Sequence, residues 1–254
     1  MPIPYPPVRE ADVAVEWTLW RRVELKQKRN LPLYYPISTE TNETRRIGNR
    51  INFFRLLLEG VERGEITAYD PAVINDEFAS NQIRTYEQII ANPRLRTESR
   101  QQQDVSIITG LDTVIIIEGR DILRQEECVR LILKEKWYFD KRHSKLEFRV
   151  IGICPIFIYT EGGKTVEVPI MWIYMPEARP LLARHIVYND NNDAQNISFD
   201  DFFMQKLYSG LIERQSNVYN DRYISDYTKG LDALFEAKKI EEEIFNFEQD
   251  LWEY

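Results

Sequence analysis

The sequence predicts an α+β fold, a central antiparallel β-meander flanked by N-terminal and C-terminal helices. Near both ends of the chain, apolar residues recur at spacings of three and four. In the middle they alternate with period two. The helical and strand patterns come in blocks, not as repeating βα units. With 254 residues, 43% of them hydrophobic, the chain has enough apolar material for a sizeable core. We read it as one domain over residues 1–254: helical over 9–63, loop-rich over 64–111, β-rich over 112–175 and helical over 176–254.

Taken in order, Met1 to Val8 are Pro-rich and extended. From Arg9 to about Arg29, Val13, Trp17 and Trp20 recur at spacings of four and three beside Val15, Leu19 and Val23, which predicts a helix. Two prolines in NLPLYYP, Asn30 to Pro36, predict an extended segment, followed by a polar loop from Ser38 to Thr44. Ile47, Ile51, Phe54, Leu57, Leu58 and Val61 stripe a second helix from about Arg45 to Arg63, stopped by Gly64. EITAYDP reads as a short strand and a turn, Asn81 to Ala91 as a short helix, and Asn92 to Ser106 as an exposed polar loop.

Asp112 to Glu118 reads as a buried strand. In Val129 to Phe139, Val129, Leu131, Leu133, Trp137 and Phe139 point one way and Arg130, Lys134 and Lys136 the other. Lys145 to Tyr159 follows, and the turn Glu161-Gly162-Gly163-Lys164 returns the chain into Val166 to Met175. Pro155 cannot donate to a ladder, so it is expected at a bulge or an unpaired position. Ser198 with Asp201 resembles a capping box opening a helix to about Arg214, whose buried face is Phe199, Phe202, Phe203, Leu207 and Leu211. The longest helix runs from about Asp226 to the end, striped by Leu231, Leu234, Ala237, Ile240, Ile244, Phe247 and Leu251.

Chemistry is sparse. A net charge of −8 disfavours nucleic acid, whose phosphates need clustered Lys and Arg. No apolar run approaches the roughly 18 residues of a membrane span, so direct membrane insertion is not expected. The two histidines, His143 in a hairpin loop and His185 on an expected helix, lack HExxH spacing, and no nucleophile elbow or phosphate-cradling loop occurs. Cys128 and Cys154 cannot build a zinc site. Pairing Trp137 with Phe148 puts Leu131 opposite Cys154 and Cys128 on the other face, which forbids a disulfide. Asp200 with Asp201, Glu241 to Glu243, and Asp121 with Glu126 are the carboxylate pairs a hydrolase would need, but with 41 acidic residues chance proximity is expected and a solvated face is the better reading of each. No catalytic residue, cofactor or metal is expected.

Five longer segments are more informative: NLPLYYP, GEITAYD at Gly64 to Asp70, EKWYFDK at Glu135 to Lys141, RVIGICPI at Arg149 to Ile156, and IFNFEQDLWEY at Ile244 to Tyr254. In this order, and across nearly the whole chain, they resemble the GldN/PorN gliding-motility family. The resemblance implies a non-enzymatic periplasmic subunit of the type IX secretion machinery. It would self-associate in a ring with a GldK/PorK-type outer-membrane lipoprotein, and couple that ring to the GldM/PorM-type periplasmic region and the GldL motor. The chain opens MPIPYPPVRE, without a basic-then-apolar leader; since the resemblance implies export, Met1 is read as standing where a leader was removed. A soluble ligand-binding module and an acidic-pair hydrolase are the competing functions.

Candidate partner-binding residues follow from the aromatic groups near the ends: Trp17 and Trp20, Tyr34 and Tyr35, and Trp252 and Tyr254. Trp and Tyr concentrate at interface hot spots, and chain ends fray unless they are docked.

Overall fold

A computed structural model describes residues 2–37, 50–72, 78–92, 95, 102–105, 112–115, 125–188 and 196–252. The elements are β1 (Val13–Glu24), α1 (Leu31–Tyr34), α2 (Phe53–Glu62), β2 (Ala68–Tyr69), β3 (Ile83–Arg84), α3 (Tyr86–Ile90), β4 (Gln102–Val105), β5 (Asp112–Ile115), β6 (Cys128–Asp140) and β7 (Lys145–Glu161). They continue as β8 (Lys164–Pro169), β9 (Trp172–Tyr174), α4 (Met175–Leu182), β10 (Ile186–Val187), β11 (Ile197–Ser198), α5 (Phe199–Met204), β12 (Leu211–Gln215), α6 (Ile224–Tyr227) and α7 (Leu231–Trp252). The class is α+β. One large sheet has the order β12-β1-β6-β7-β9-β2-β3, with β8 also on β7; β4 pairs with β5 and β10 with β11.

The meander forms as the alternation predicts, with Trp137 opposite Phe148. The return strand is split. β8 pairs with Ile156 to Glu161 and β9 with Gly152 and Ile153, so Pro155 falls in the gap, and its carbonyl accepts from Ile170 N at 3.0 Å. One register detail differs from expectation. The ladder slips between Lys134 and Glu135, so Cys154 lies opposite Ile132 and Leu131 opposite Pro155. This bulge absorbs one residue of β7. The cysteines still lie in different apolar clusters, Cys128 in the main core and Cys154 on the other face of the sheet.

The largest correction is at the start of the chain. The expected helix over Arg9–Arg29 is strand β1, paired to β6 from Val13 to Glu24 and to β12 from Leu19 to Arg22. Leu19 enters one apolar cluster and its neighbour Trp20 another. Where Leu19 and Trp20 are buried on opposite faces, the alternation of Val15, Trp17 and Leu19 with Glu16 and Thr18 breaks, and the spacing of Val13, Trp17 and Trp20 imitates a helix. The expected extended NLPLYYP contains α1, with Pro32 in its first turn. There the missing N–H has no helical partner to lose, so the proline is tolerated.

Other boundaries move as well. α2 starts at Phe53, with the Asn52 side chain accepting from Arg55 N; Ile51 precedes it, and Ile47 and the Ser38–Thr44 loop lie outside the described residues. Only Tyr86–Ile90 of the expected 81–91 helix is α-helical, capped by Thr85 and Gln88. Gln102–Val105, read as loop, is a strand. Ser198 and Asp201 do form a capping box, but α5 ends at Met204. Lys206 then takes φ +51, and Leu211–Gln215 is an edge strand, not helix. α7 begins at Leu231, after Gly230 at φ +62.

The large sheet is covered unevenly. On one face, α2, α4 and α5 build the main core: Phe53 packs on Phe199 and Phe203, each at 5.3 Å between centroids, and Phe54 on Phe157 at 4.9 Å. Leu19 and Val23 are an even number of residues apart on β1 and so face the same side. There α7 covers a smaller cluster of Leu19, Ile212, Ile224, Ala237, Ile240 and Ile244. The opposite face carries Trp20, Cys154, Ile156 and Trp172.

Candidate functional site

Of the six expected interface residues, the fold itself uses three. Trp17 packs edge-on against Phe247 of α7 at 5.2 Å. Trp20 is 5% exposed, with the Arg214 guanidinium 3.7 Å from its ring centroid. Tyr34 is buried and donates to Glu126 O at 3.1 Å. Tyr35 stands out at 56% exposure and stacks edge-on against Tyr34. It lines an apolar pocket with Leu31, Pro32, Pro36 and Tyr188, where the charged residues among those described are Lys28 and Arg50. Trp252 is the last residue of α7, and Tyr254 lies outside the described residues. The four whose side chains are described, Trp17, Trp20, Tyr34 and Tyr35, are not gathered into one surface.

A different surface is. Nine of the thirteen large apolar side chains exposed among the described residues lie between Leu211 and Phe245. At about 100° per residue, Ala237, Ile240, Ile244 and Phe247 form the inward stripe of α7. Leu231, Leu234, Phe235 and Phe245 fall in a second arc of about 100°, centred opposite Ile240. Leu231 is 70% exposed and Phe235 68%. The stripe contains one ion pair, Lys238–Glu242 at 3.7 Å. It continues onto the loop before the helix, where the Arg222 guanidinium lies 4.7 Å from the Tyr219 ring and 4.3 Å from Tyr227. Tyr223 and Leu234 meet across a shallow hollow with Leu211 of the edge strand. The expected helix stripe had placed Leu231 and Leu234 inward. The signal for a second stripe was Phe235 and Phe245, which fit no inward face.

Where α7 meets the main core, a charge is buried. Glu135 is 0% exposed and accepts from Arg21 Nε at 3.0 Å, Tyr208 OH at 2.7 Å and Trp137 Nε1 at 2.9 Å. Arg21 also donates to Gly210 O at 2.9 Å and meets Glu241 of α7 at 3.1 Å. Burial, and then Glu135, push the Tyr208 hydroxyl well above its ordinary pKa, so it stays a donor. Burial and the Arg21 charge lower the pKa of Lys206, which lies 4.3 Å over Trp137 and 3.6 Å from Glu241. Beside this network a cleft of about 340 Å³ opens along the flank of α7, lined by Leu19, Trp137 and Leu146 and, from α7, by Lys238, Glu242 and Phe245 at the edge of the outward stripe.

Among the described residues, Asp200, Asp201 and Glu241 to Glu243 of the candidate acidic pairs are held in other roles. Both Glu135 oxygens are occupied and shielded from solvent. Asp200 is 2% exposed and pairs with Arg179 at 2.8 Å, and Asp201 serves the Ser198 cap. Glu242 and Glu243 pair within α7, and Asp121 lies outside the described residues. His143 Nδ1 lies 2.7 Å from Asp140, closing the β6–β7 turn. His185 Nδ1 lies 3.0 Å from Leu181 O, just beyond α4 and not on a helix as expected. Among the described residues, no group of three or more His, Cys, Asp or Glu is placed to hold a metal ion.

The family described as "Gliding motility associated protein GldN" matches the chain over residues 8–253. The chain belongs to the GldN family. No curated protein matches it. The match runs from the Pro-rich segment through α7, so the sheet, the buried network and the outward stripe all lie within the GldN region. No helix among the described residues is long and apolar enough to cross a membrane.

Proposed function

We propose that this GldN-family chain is a non-enzymatic structural subunit of the type IX secretion and gliding-motility machinery. In this reading it works in the periplasm beneath the outer membrane and forms a ring with a GldK/PorK-type lipoprotein. Through the GldM/PorM-type periplasmic region it couples that ring to the motor. The outward stripe of α7, with the tyrosines at 219–227, is its partner surface. The family match supports the assembly role. The single observation carrying the surface is a helix apolar on two faces but covered on one, since exposed apolar patches of this kind mark protein contacts.

Removing the gene and complementing it tests this reading. Loss of surface movement and of protein export, both restored by this chain, supports it; normal export and movement without the gene contradicts it. A ligand-binding module is favoured by the cleft beside α7 and by the pocket at Tyr35, and would show as a small molecule retained through purification.

A further inference from the structure

Residues 2–9 form neither strand nor helix, yet they are held against the body of the protein. The Tyr5 ring sits between two guanidinium groups, Arg179 of α4 at 4.1 Å and Arg149 of β7 at 4.8 Å. The same two cations hold the backbone on either side: Arg149 Nη2 donates to Pro6 O at 2.6 Å, and Arg179 Nη2 donates to Ile3 O. Both arginines also touch the body of the protein. Arg179 is 5% exposed and fixed by Asp200 through two contacts, at 2.8 and 3.1 Å, while Arg149 lies 5.2 Å from the Tyr138 ring. Everything around the anchor is open: Ile3 is 69% exposed, and Pro4, Pro6 and Pro7 are exposed.

This is how a peptide sits in a recognition groove. The prolines keep the segment extended at little entropic cost, one aromatic side chain is captured, and side-chain donors read the carbonyls. Cation–π contacts to a partly desolvated ring supply the grip.

We propose that the Arg149–Arg179 clamp is a receptor site for a proline-rich peptide bearing one tyrosine, filled here by the chain's own residues 2–8 and open to the same segment of a second copy. An exchanged strap makes the same contacts as the chain's own, so only effective concentration separates the two arrangements. Neighbouring copies held close together would therefore trade straps.

The test uses Tyr5→Ala protein, which keeps the clamp but lacks the anchor, and a fluorescent peptide, PIPYPPVR, copied from residues 2–9. Saturable binding is expected, and about tenfold or more weaker binding to the unaltered protein, whose own strap competes. Replacing the peptide's tyrosine by alanine, or adding Arg149→Ala to the protein, is expected to abolish it. Mixing the Tyr5→Ala chain with an Arg149→Ala chain, which offers a strap but no clamp, should give a complex by sedimentation that neither chain forms alone. Failure of the peptide to bind a Tyr5→Ala protein with an unchanged circular-dichroism spectrum would overturn the receptor, as would equal binding of the tyrosine-free peptide. A chain mixture that stays monomeric while the peptide binds would overturn the exchange between copies.

Discussion

Helices α2 and α7 carry similar apolar stripes and meet opposite fates. α2 buries eight of its ten residues. Even its Glu59 is enclosed, held by Arg55 at 3.2 Å and Arg63 at 3.0 Å. A Cβ built at Gly60 would stand 2.5 Å from Leu181, so the helix is gripped by α4 as well as by the sheet. α7 is 22 residues long, yet Ala237, Ile240 and Ile244 are its buried apolar positions among the described side chains. The first helix is consumed by the fold. The second is plated onto the sheet by one face and offers the other, so the same kind of residue has a different role in each.

Substitutions sharpen the contrast. Phe54→Ala, in the enclosed helix, should cost about 4 kcal/mol in urea unfolding, the range of a large-to-small aromatic change in a tight core. Glu135→Gln should cost about 3 kcal/mol by the same measurement, because it leaves the buried Arg21 charge with the half-exposed Glu241 as its remaining carboxylate and Gly210 O as a neutral acceptor. Ile240→Ala should cost only about 2 kcal/mol, the low end for such truncations, since a helix covered on one side can settle into the gap. An Ile240→Ala loss as large as that of Phe54→Ala would break the comparison.

A smaller effect belongs to pH. Hydrogen bonding from His143 lowers the Asp140 pKa below the ordinary carboxylate value, and the amides of Arg142 and His143 add to it. A depressed folded-state pKa gives stability that is present above the unfolded value, about 3.9, and lost as pH falls through the folded one. Melting temperature followed downward from pH 5 should therefore fall more steeply for the unaltered protein than for Asp140→Asn. Parallel curves would show that this turn contributes nothing to acid sensitivity.

How much of this was legible in the sequence depended on how many faces each element buries. β6 and β7 were readable because their core and solvent residues alternate and Gly162-Gly163 marks the return turn. β1 was misread although Glu16 and Thr18 alternate with Val15, Trp17 and Leu19: Leu19 and Trp20 serve clusters on opposite faces and break that alternation, and the spacing of Val13, Trp17 and Trp20 imitates a helix. The end of α5 was hidden too. Leu207 and Leu211 keep helical spacing, and nothing in the side chain of Lys206 announces a left-handed backbone. For α7 the inward stripe was legible from Ala237 to Ile244. The outward one was not separated from it, since Leu234 is in phase with Ala237 and spacing alone does not say where a helix loses contact with its sheet. Among the aromatic groups, composition pointed to interfaces, while burial assigned Trp20 and Tyr34 to the fold.

The outward stripe is the claim on which the account turns, and a Leu231→Ser, Phe235→Ser double variant tests it most directly. These side chains touch mainly solvent, so the stability of the isolated protein should change by no more than about 0.5 kcal/mol. Co-purification with the GldK/PorK-type lipoprotein or the GldM/PorM-type region should nevertheless fail. A variant that melts normally and still retains both partners would contradict the assignment of α7 as the partner surface.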